Sequence, residues 1–175
     1  MHSNVTATGT ICRVRTEPRP DAELDLTASD HAGEPVYRPE HCAPIPWRAD
    51  LDTLYLLRFD VTVPFMSDDD ADLIIYAASL PSTATVVSYP AHVWEETDDA
   101  CLLHIPTVFA RLTNDRGVLL SYAAPDDDTE AVARDRALTE YAISRGWAHM
   151  AVDAADAQAA AAAPVQPWTA WVINR

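Results

Sequence analysis

The chain has 175 residues, of which 27 are acidic and 12 basic, and carries a formal net charge of -15. Its length and its 49% content of hydrophobic residues predict one globular domain with arms, and they exclude a disordered chain. The negative charge disfavours direct contact with nucleic acid or anionic lipid, because both need Lys or Arg for neutralisation. It favours solubility, a basic partner or work at high salt.

All 12 basic residues are arginine, a bias typical of a GC-rich genome, actinobacterial or haloarchaeal, or of a virus of such a host. The three cysteines are too few for a disulfide scaffold. The sequence shows neither the cationic and apolar regions of a leader peptide nor an apolar run of about 18 residues. We therefore expect a cytoplasmic location, or one inside a virion or other assembled particle.

The N-terminal region predicts one strand followed by an extended arm. The strand is expected at Thr8–Thr16. Residues 17–50 hold six prolines that interrupt any regular element: Pro18, Pro20, Pro35, Pro39, Pro44 and Pro46.

The core begins with a predicted strand at Leu54–Val63, whose later half alternates apolar and polar residues and which Pro64 is expected to stop. Ser67 followed by Asp68–Asp70 then indicates a helix start, with a hydroxyl cap and carboxylates at the positive end of the helix dipole. Pro81 is expected to close this helix.

Three further strands are predicted at Thr83–Tyr89, Cys101–Leu112 and Val118–Ala123. The last two are joined by Thr113–Gly117, which contains the Asn, Asp and Gly typical of a hairpin turn.

A second acidic helix start follows at Asp126–Asp128. The pattern predicts a helix over Thr129–Arg145, closed by Gly146 at the position after its C-cap. Trp147–Val152 is expected to form a short strand or to continue into the Ala-rich stretch.

This element order predicts an α+β fold, resembling in outline a ferredoxin-like split βαβ sandwich with an inserted β-hairpin. We divide the chain into a strand and Pro-rich arm (1–53), an α+β core (54–152), and an Ala/Pro spacer with an aromatic C-terminal tail (153–175).

The motifs for chemistry are weak. No Gly-rich phosphate loop, serine nucleophile elbow or zinc-protease motif occurs in the sequence. A zinc site would have to combine Cys101 and His104 with His41 and Cys42, but residues three apart on a strand point to opposite faces. The acidic runs lack the glycine and glutamate of an EF-hand loop and are better explained as helix starts. We therefore expect no metal, no cofactor and no assigned catalytic residue.

Three classes of function stay open. The leading hypothesis is a non-enzymatic assembly or binding subunit of a larger complex, for example a phage structural or accessory protein, which acts through a protein partner or self-association. The first alternative is an acidic inhibitor, either a DNA mimic or an immunity protein for a basic toxin. The second is an enzyme without familiar motifs that uses Cys101 or Cys42 with a histidine.

The interaction residues predicted for the leading hypothesis fall in two places. The aromatic tail, behind its Ala/Pro spacer, is expected to dock as an added strand. The acidic helix start is expected to face a partner. The residues are Trp168, Trp171 and Ile173 in the tail, and Asp126, Asp127 and Asp128 in the helix start.

Overall fold

The computed structural model describes residues 4–5, 11–12, 51–96, 101–125, 127–164 and 171–174. Within these ranges lie eleven strands and three helices. The strands are β1 Asn4–Val5, β2 Ile11–Cys12, β3 Asp52–Leu56, β4 Val61–Phe65, β5 Thr83–Ser88, β6 Val93–Glu96, β7 Cys101–His104, β8 Val108–Leu112, β9 Gly117–Tyr122, β10 Ala148–Val152 and β11 Trp171–Asn174. The helices are α1 Asp68–Ser79, α2 Thr129–Ser144 and α3 Ala154–Ala162. The predicted α+β class is confirmed.

The largest sheet has four strands in the order β10-β9-β8-β5. Its strands pair antiparallel except β10, which runs parallel to β9 after the chain crosses over through α2. The register aligns Phe109, Leu119 and His149 across three neighbouring strands, so these side chains share the face that α2 covers.

Each face of this sheet supports its own hydrophobic core. Strand alternation sends Val108 and Leu120 to the face shared with α1, α3 and the second sheet, and Phe109 and Leu119 to the opposite face. On that opposite face Trp147 packs against Phe109, with ring centroids 4.5 Å apart, and Leu138 and Tyr141 of α2 complete the cluster.

A second sheet of three strands has the order β11-β3-β4. The backbone of Trp171–Asn174 pairs antiparallel with β3, so this part of the tail joins the chain's own sheet. The predicted Ala/Pro spacer contains α3, which packs on α1 and places Ala157 in the core with no exposed surface. Our division into 1–53, 54–152 and 153–175 stays a prediction.

The sheet topology departs from the ferredoxin-like arrangement. That arrangement needs two βαβ units in one sheet, but α1 connects β4 and β5, which belong to different sheets. Only β9, α2 and β10 form such a unit among the described strands.

The predicted single strand at Leu54–Val63 is wrong, because the chain turns back on itself at Leu57–Asp60 to form the β3–β4 hairpin. Asp60 supplies the left-handed backbone conformation that the turn needs, with a φ of 54°. Pro64 does not stop the strand. It lies within β4, where an edge strand tolerates the missing N–H.

The predicted single strand at Cys101–Leu112 is also wrong. It is two strands, β7 and β8, separated by a segment that includes Pro106. β7 pairs with β6 in a separate hairpin that the sequence did not predict. Of the predicted strand at Thr8–Thr16, the structure describes Ile11–Cys12 as part of β2, and the rest lies outside the described residues.

Both predicted helix starts are confirmed. The Ser67 hydroxyl accepts a hydrogen bond from the Asp70 amide at 3.2 Å, and the Asp128 carboxylate accepts one from the Ala131 amide at 2.9 Å. Gly146 has a φ of 70° directly after the C-cap of α2, as expected. No helix in the described ranges is long and apolar enough to cross a bilayer.

Candidate functional site

The predicted interaction residues are only partly described. Trp168 and Asp126 lie outside the described residues. Trp171 and Ile173 pair through their backbones with β3, and nothing is described of their side chains. Asp127 is exposed, and Asp128 is exposed while capping α2.

The first acidic run is tied into the fold. The Tyr89 hydroxyl donates to the Asp70 carboxylate at 2.9 Å, and the Tyr122 hydroxyl donates to the Asp69 backbone carbonyl. Burial first, and then the negative charges of Asp69 and Asp72, raise the pKa of Tyr122. These contacts give the run a structural role at the start of α1.

A buried charge lies on the β6–β7 hairpin. Glu95 is only 1% exposed, yet its carboxylate contacts two potential cations: Oε2 lies 3.0 Å from His104 Nε2, and Oε1 lies 3.1 Å from Arg136 Nη2. A carboxylate is almost never buried without such partners, since the cost of removing its charge from water must be offset. We take this cluster of a buried carboxylate, an imidazole and a guanidinium as the candidate functional site.

The hairpin register explains this placement. Val93 lies opposite His104, and Glu95, two residues further along β6, shares the inward face with Val93. Glu95 and His104 are therefore diagonal neighbours on one face of the hairpin, within reach of each other. α2 packs on this hairpin and contributes Arg136.

The hydrogen bonds define the tautomer of His104. Glu95 accepts from Arg136 through Oε1, and its Oε2 accepts from Nε2 of His104 when the ring proton lies on that nitrogen. In the neutral ring the lone pair consequently lies on Nδ1. Nδ1 has no hydrogen-bond partner among the described residues.

His104 lines a surface depression of about 270 Å³ at the start of α2. The other lining residues are Asp128, Glu130, Ala131 and Arg134. Two carboxylates and one guanidinium give this lining a net negative charge. We call this the His104 depression.

A second buried polar cluster lies where α2 packs on β9 and β10. His149 of β10 bonds Ser121 through Nε2 at 2.9 Å and Thr139 through Nδ1 at 2.7 Å. The Thr139 hydroxyl donates its proton to the Asp135 backbone carbonyl, so it accepts from Nδ1, and Ser121 donates to Nε2. Burial lowers the pKa of His149, and the nearby Asp135 charge partly opposes this. The cluster therefore favours a neutral His149 that holds α2 on the sheet.

Of the residues suggested for metal or thiol chemistry, the two that the structure describes do not come together. Cys101 is exposed at one end of β7, while His104 is buried at the other end of the strand. His41 and Cys42 lie outside the described residues. In the described part of the chain, no group of three His, Cys, Asp or Glu side chains is arranged to hold a metal ion.

Sequence reasoning missed Glu95 and Arg136 entirely, and considered His104 only as a metal ligand. One signal was available for Glu95. Val93 and Glu95 alternate with Trp94, a strand pattern that places a carboxylate on the same face as an apolar residue.

We compared the chain with protein families, with curated proteins and with solved structures, and none of them matches.

Proposed function

We propose that this protein is a binding subunit that holds a basic side chain of a protein partner in the His104 depression. The observation that supports this most strongly is that His104, held through Nε2 by the buried Glu95, lines a depression that also presents two carboxylates. A guanidinium or ammonium group supplies the N–H donors and the positive charge that such a lining accepts.

The whole-chain charge supports the same class of partner. With a net charge of -15, the surface attracts a basic protein over a longer range than any single contact, and repels nucleic acid. Asp127 lies exposed beside the depression and adds to the local field. Long-range attraction would speed association, and the depression would select the side chain.

Arg134 brings a positive charge of the chain itself to the lining of the depression. It is exposed on α2 four residues after Glu130. A bound basic side chain would be repelled by this guanidinium. The proposal therefore predicts that Arg134→Gln strengthens binding.

A direct test uses an arginine-rich peptide as the probe and a glutamine-substituted peptide of the same length as its control. Titration calorimetry on the full chain should show binding of the arginine peptide alone, weakening as salt is added. Asp128→Asn with Glu130→Gln should reduce affinity about tenfold, or about 1.4 kcal/mol. Asn caps a helix as well as Asp does, so this double variant changes charge while keeping α2 intact.

The matched control is Asp156→Asn, which removes a carboxylate from the exposed first turn of α3. It should leave the affinity within about twofold of the unchanged protein, because exposed charges contribute little at a distance. Nitrogen NMR of His104 reports the site itself, since a donor on Nδ1 shifts that resonance. The proposal is wrong if the control and the double variant lose equal affinity for the peptide and the Nδ1 resonance does not shift. The peptide would then bind through the overall negative charge of the protein and not at the depression.

The wider hypotheses from the sequence connect to this site. An assembly subunit of a phage or another complex would use the depression to engage a basic neighbour, and an immunity protein would use it to engage a basic toxin. A DNA mimic would instead depend on the charge of Asp126–Asp128 in competition with DNA for a nuclease. Changing all three residues to Asn tests the DNA-mimic hypothesis separately. A DNA mimic with these changes would no longer compete with DNA for the nuclease, whether or not it still binds the arginine peptide.

A further inference from the structure

We propose that β10 is a self-association edge, and that two copies of this chain pair through it into one continuous sheet. The proposal is independent of the His104 depression, which is lined by His104 of β7 and by residues at the start of α2. It rests on the edge strands, on the outward face of α2 and on the distance between neighbouring strands.

Edge strands normally carry features that prevent pairing with another chain, such as proline, charge, bulges or short length. β4 contains Pro64, and β5 has a bulge between Thr83 and Thr85. β11, described over Trp171–Asn174, is followed in the sequence by Arg175. β10 is the fourth edge strand of the two larger sheets, and its sequence is Ala-His-Met-Ala-Val. It contains no proline, no Asp, Glu, Lys or Arg, and no bulge.

β10 is also free of charge in a strongly acidic chain. Its exposed residues, Ala148 and Ala151, are small and neutral, so another backbone can approach without steric or electrostatic cost. Among the described strands, β10 pairs on one side only, with β9.

Exposed apolar side chains lie beside this edge. Val132 is 48% exposed and Ile143 is 68% exposed on α2. At 3.6 residues per turn they fall within about 40° of Thr139 around the helix. Because Thr139 bonds His149 of β10, this stripe borders the β10 side of α2 and continues toward the solvent-facing side of the helix.

A second copy accounts for the edge and the stripe together. A two-fold axis perpendicular to the sheet would pair β10 with its copy antiparallel and keep both α2 helices on one face. α2 packs over β9 and β10, so the two helices would lie about two strand spacings apart, roughly 10 Å. This is the distance at which helices pack, and it would place Val132 of each helix near Ile143 of the other.

A single extended peptide from another protein would satisfy the β10 edge but leave Val132 and Ile143 in water. A copy of this chain brings a helix as well as a strand.

The experiment measures the mass of the full chain by light scattering after gel filtration, across a dilution series. We expect a dimer that dissociates on dilution. Ala151→Lys would place like charges across the two-fold axis and should weaken the dimer at least tenfold. Ala159→Lys, at an exposed alanine of α3, is the matched control and should leave the dimer unchanged.

Two further measurements keep the outcome decisive. Ile143→Ser should weaken the dimer without touching β10, and hydrogen exchange should show the β10 amides losing protection on dilution. A monomer at every concentration would overturn the proposal, as would a dimer that Ala151→Lys leaves intact. β10 amides protected in a monomer would overturn it too, by showing that another segment of the chain covers the edge.

Discussion

Arg58 connects the β3–β4 turn of one sheet to the end of α1, which leads into the other sheet. Substituting it tests how much this connection contributes to stability. Arg58 lies in the turn between β3 and β4, and its guanidinium donates to four backbone carbonyls around the end of α1. Nη1 bonds Ala78 and Leu80 at 3.1 Å each, and Nη2 bonds Pro81 and Thr83 at 2.9 Å each. α1 has no basic residue in its last turn, so Arg58 supplies the cation that its dipole favours.

The expected loss follows from the carbonyls that would be left without a donor. Three of the four bonds are partly buried. The Leu80 carbonyl also accepts from the Thr83 amide at 3.0 Å, so the loss falls on the Ala78 and Thr83 carbonyls. An unsatisfied group of this kind costs about 1 kcal/mol at the low end of the usual range. The exposed bond to Pro81 adds little, because water replaces it. Arg58→Met keeps the length of the side chain and should reduce the free energy of unfolding by about 2 kcal/mol. Arg58→Lys keeps the charge but not the planar fork, and should lose about half as much.

Urea denaturation followed by circular dichroism measures both changes. Arg116→Met removes the same charge from the exposed β8–β9 turn and should shift stability by less than about 0.5 kcal/mol. If Arg58→Met is as stable as Arg116→Met, the guanidinium does not hold the end of α1. If Arg58→Lys loses as much as Arg58→Met, the fork geometry matters and the charge does not.

Three other predictions concern stability. Ser67→Ala should cost about 1 kcal/mol in chemical denaturation, because the Asp70 amide loses its cap, and Ser67→Asp should recover most of it. The pKa of His149 is lowered in the folded chain, so below pH 6.5, its ordinary pKa, the unfolded chain binds a proton more readily than the folded one. The free energy of unfolding should therefore fall as the pH drops below 6.5. His149→Gln should flatten this part of a plot of urea midpoint against pH. Gly117→Ala would bring a methyl group within 2.5 Å of the Trp147 ring and 2.7 Å of the Phe109 ring. The variant should therefore have a lower thermal midpoint, and its tryptophan emission should be quenched or shifted. An unchanged emission spectrum would contradict this close packing.

Helix starts were predictable because their signals are local. Ser67 and Asp128 bond amides three residues away, so the sequence contains both partners. The β3–β4 turn was not predictable on the same grounds, since Asp60 takes its left-handed conformation without a glycine or proline to mark it. Pro106 did mark the break between β7 and β8, and the apolar residues around it concealed that signal.

The candidate site was less predictable than the fold. Glu95 and Arg136 are 41 residues apart in sequence, and only the packing of α2 on the hairpin brings them within 3.1 Å. The predicted interaction residue Asp128 does line the His104 depression, but acidity alone suggested it. Periodicity identifies which residues face inward, whereas the pairing of distant polar side chains depends on topology.

The pairing of β11 with β3 sets the order of events during synthesis. Leu56 of β3 pairs with Trp171 of β11, which is about 115 residues later in the chain, so the two strands can pair only after that segment has been made. At about 5–20 residues per second, a ribosome needs roughly 6–23 seconds to make the intervening segment. During that interval β11 is not yet available to pair with β3. Pairing the two strands also closes a long loop, which makes it a late step in folding. A nascent chain halted before residue 171 should therefore be bound by chaperones, and one that includes β11 should be released.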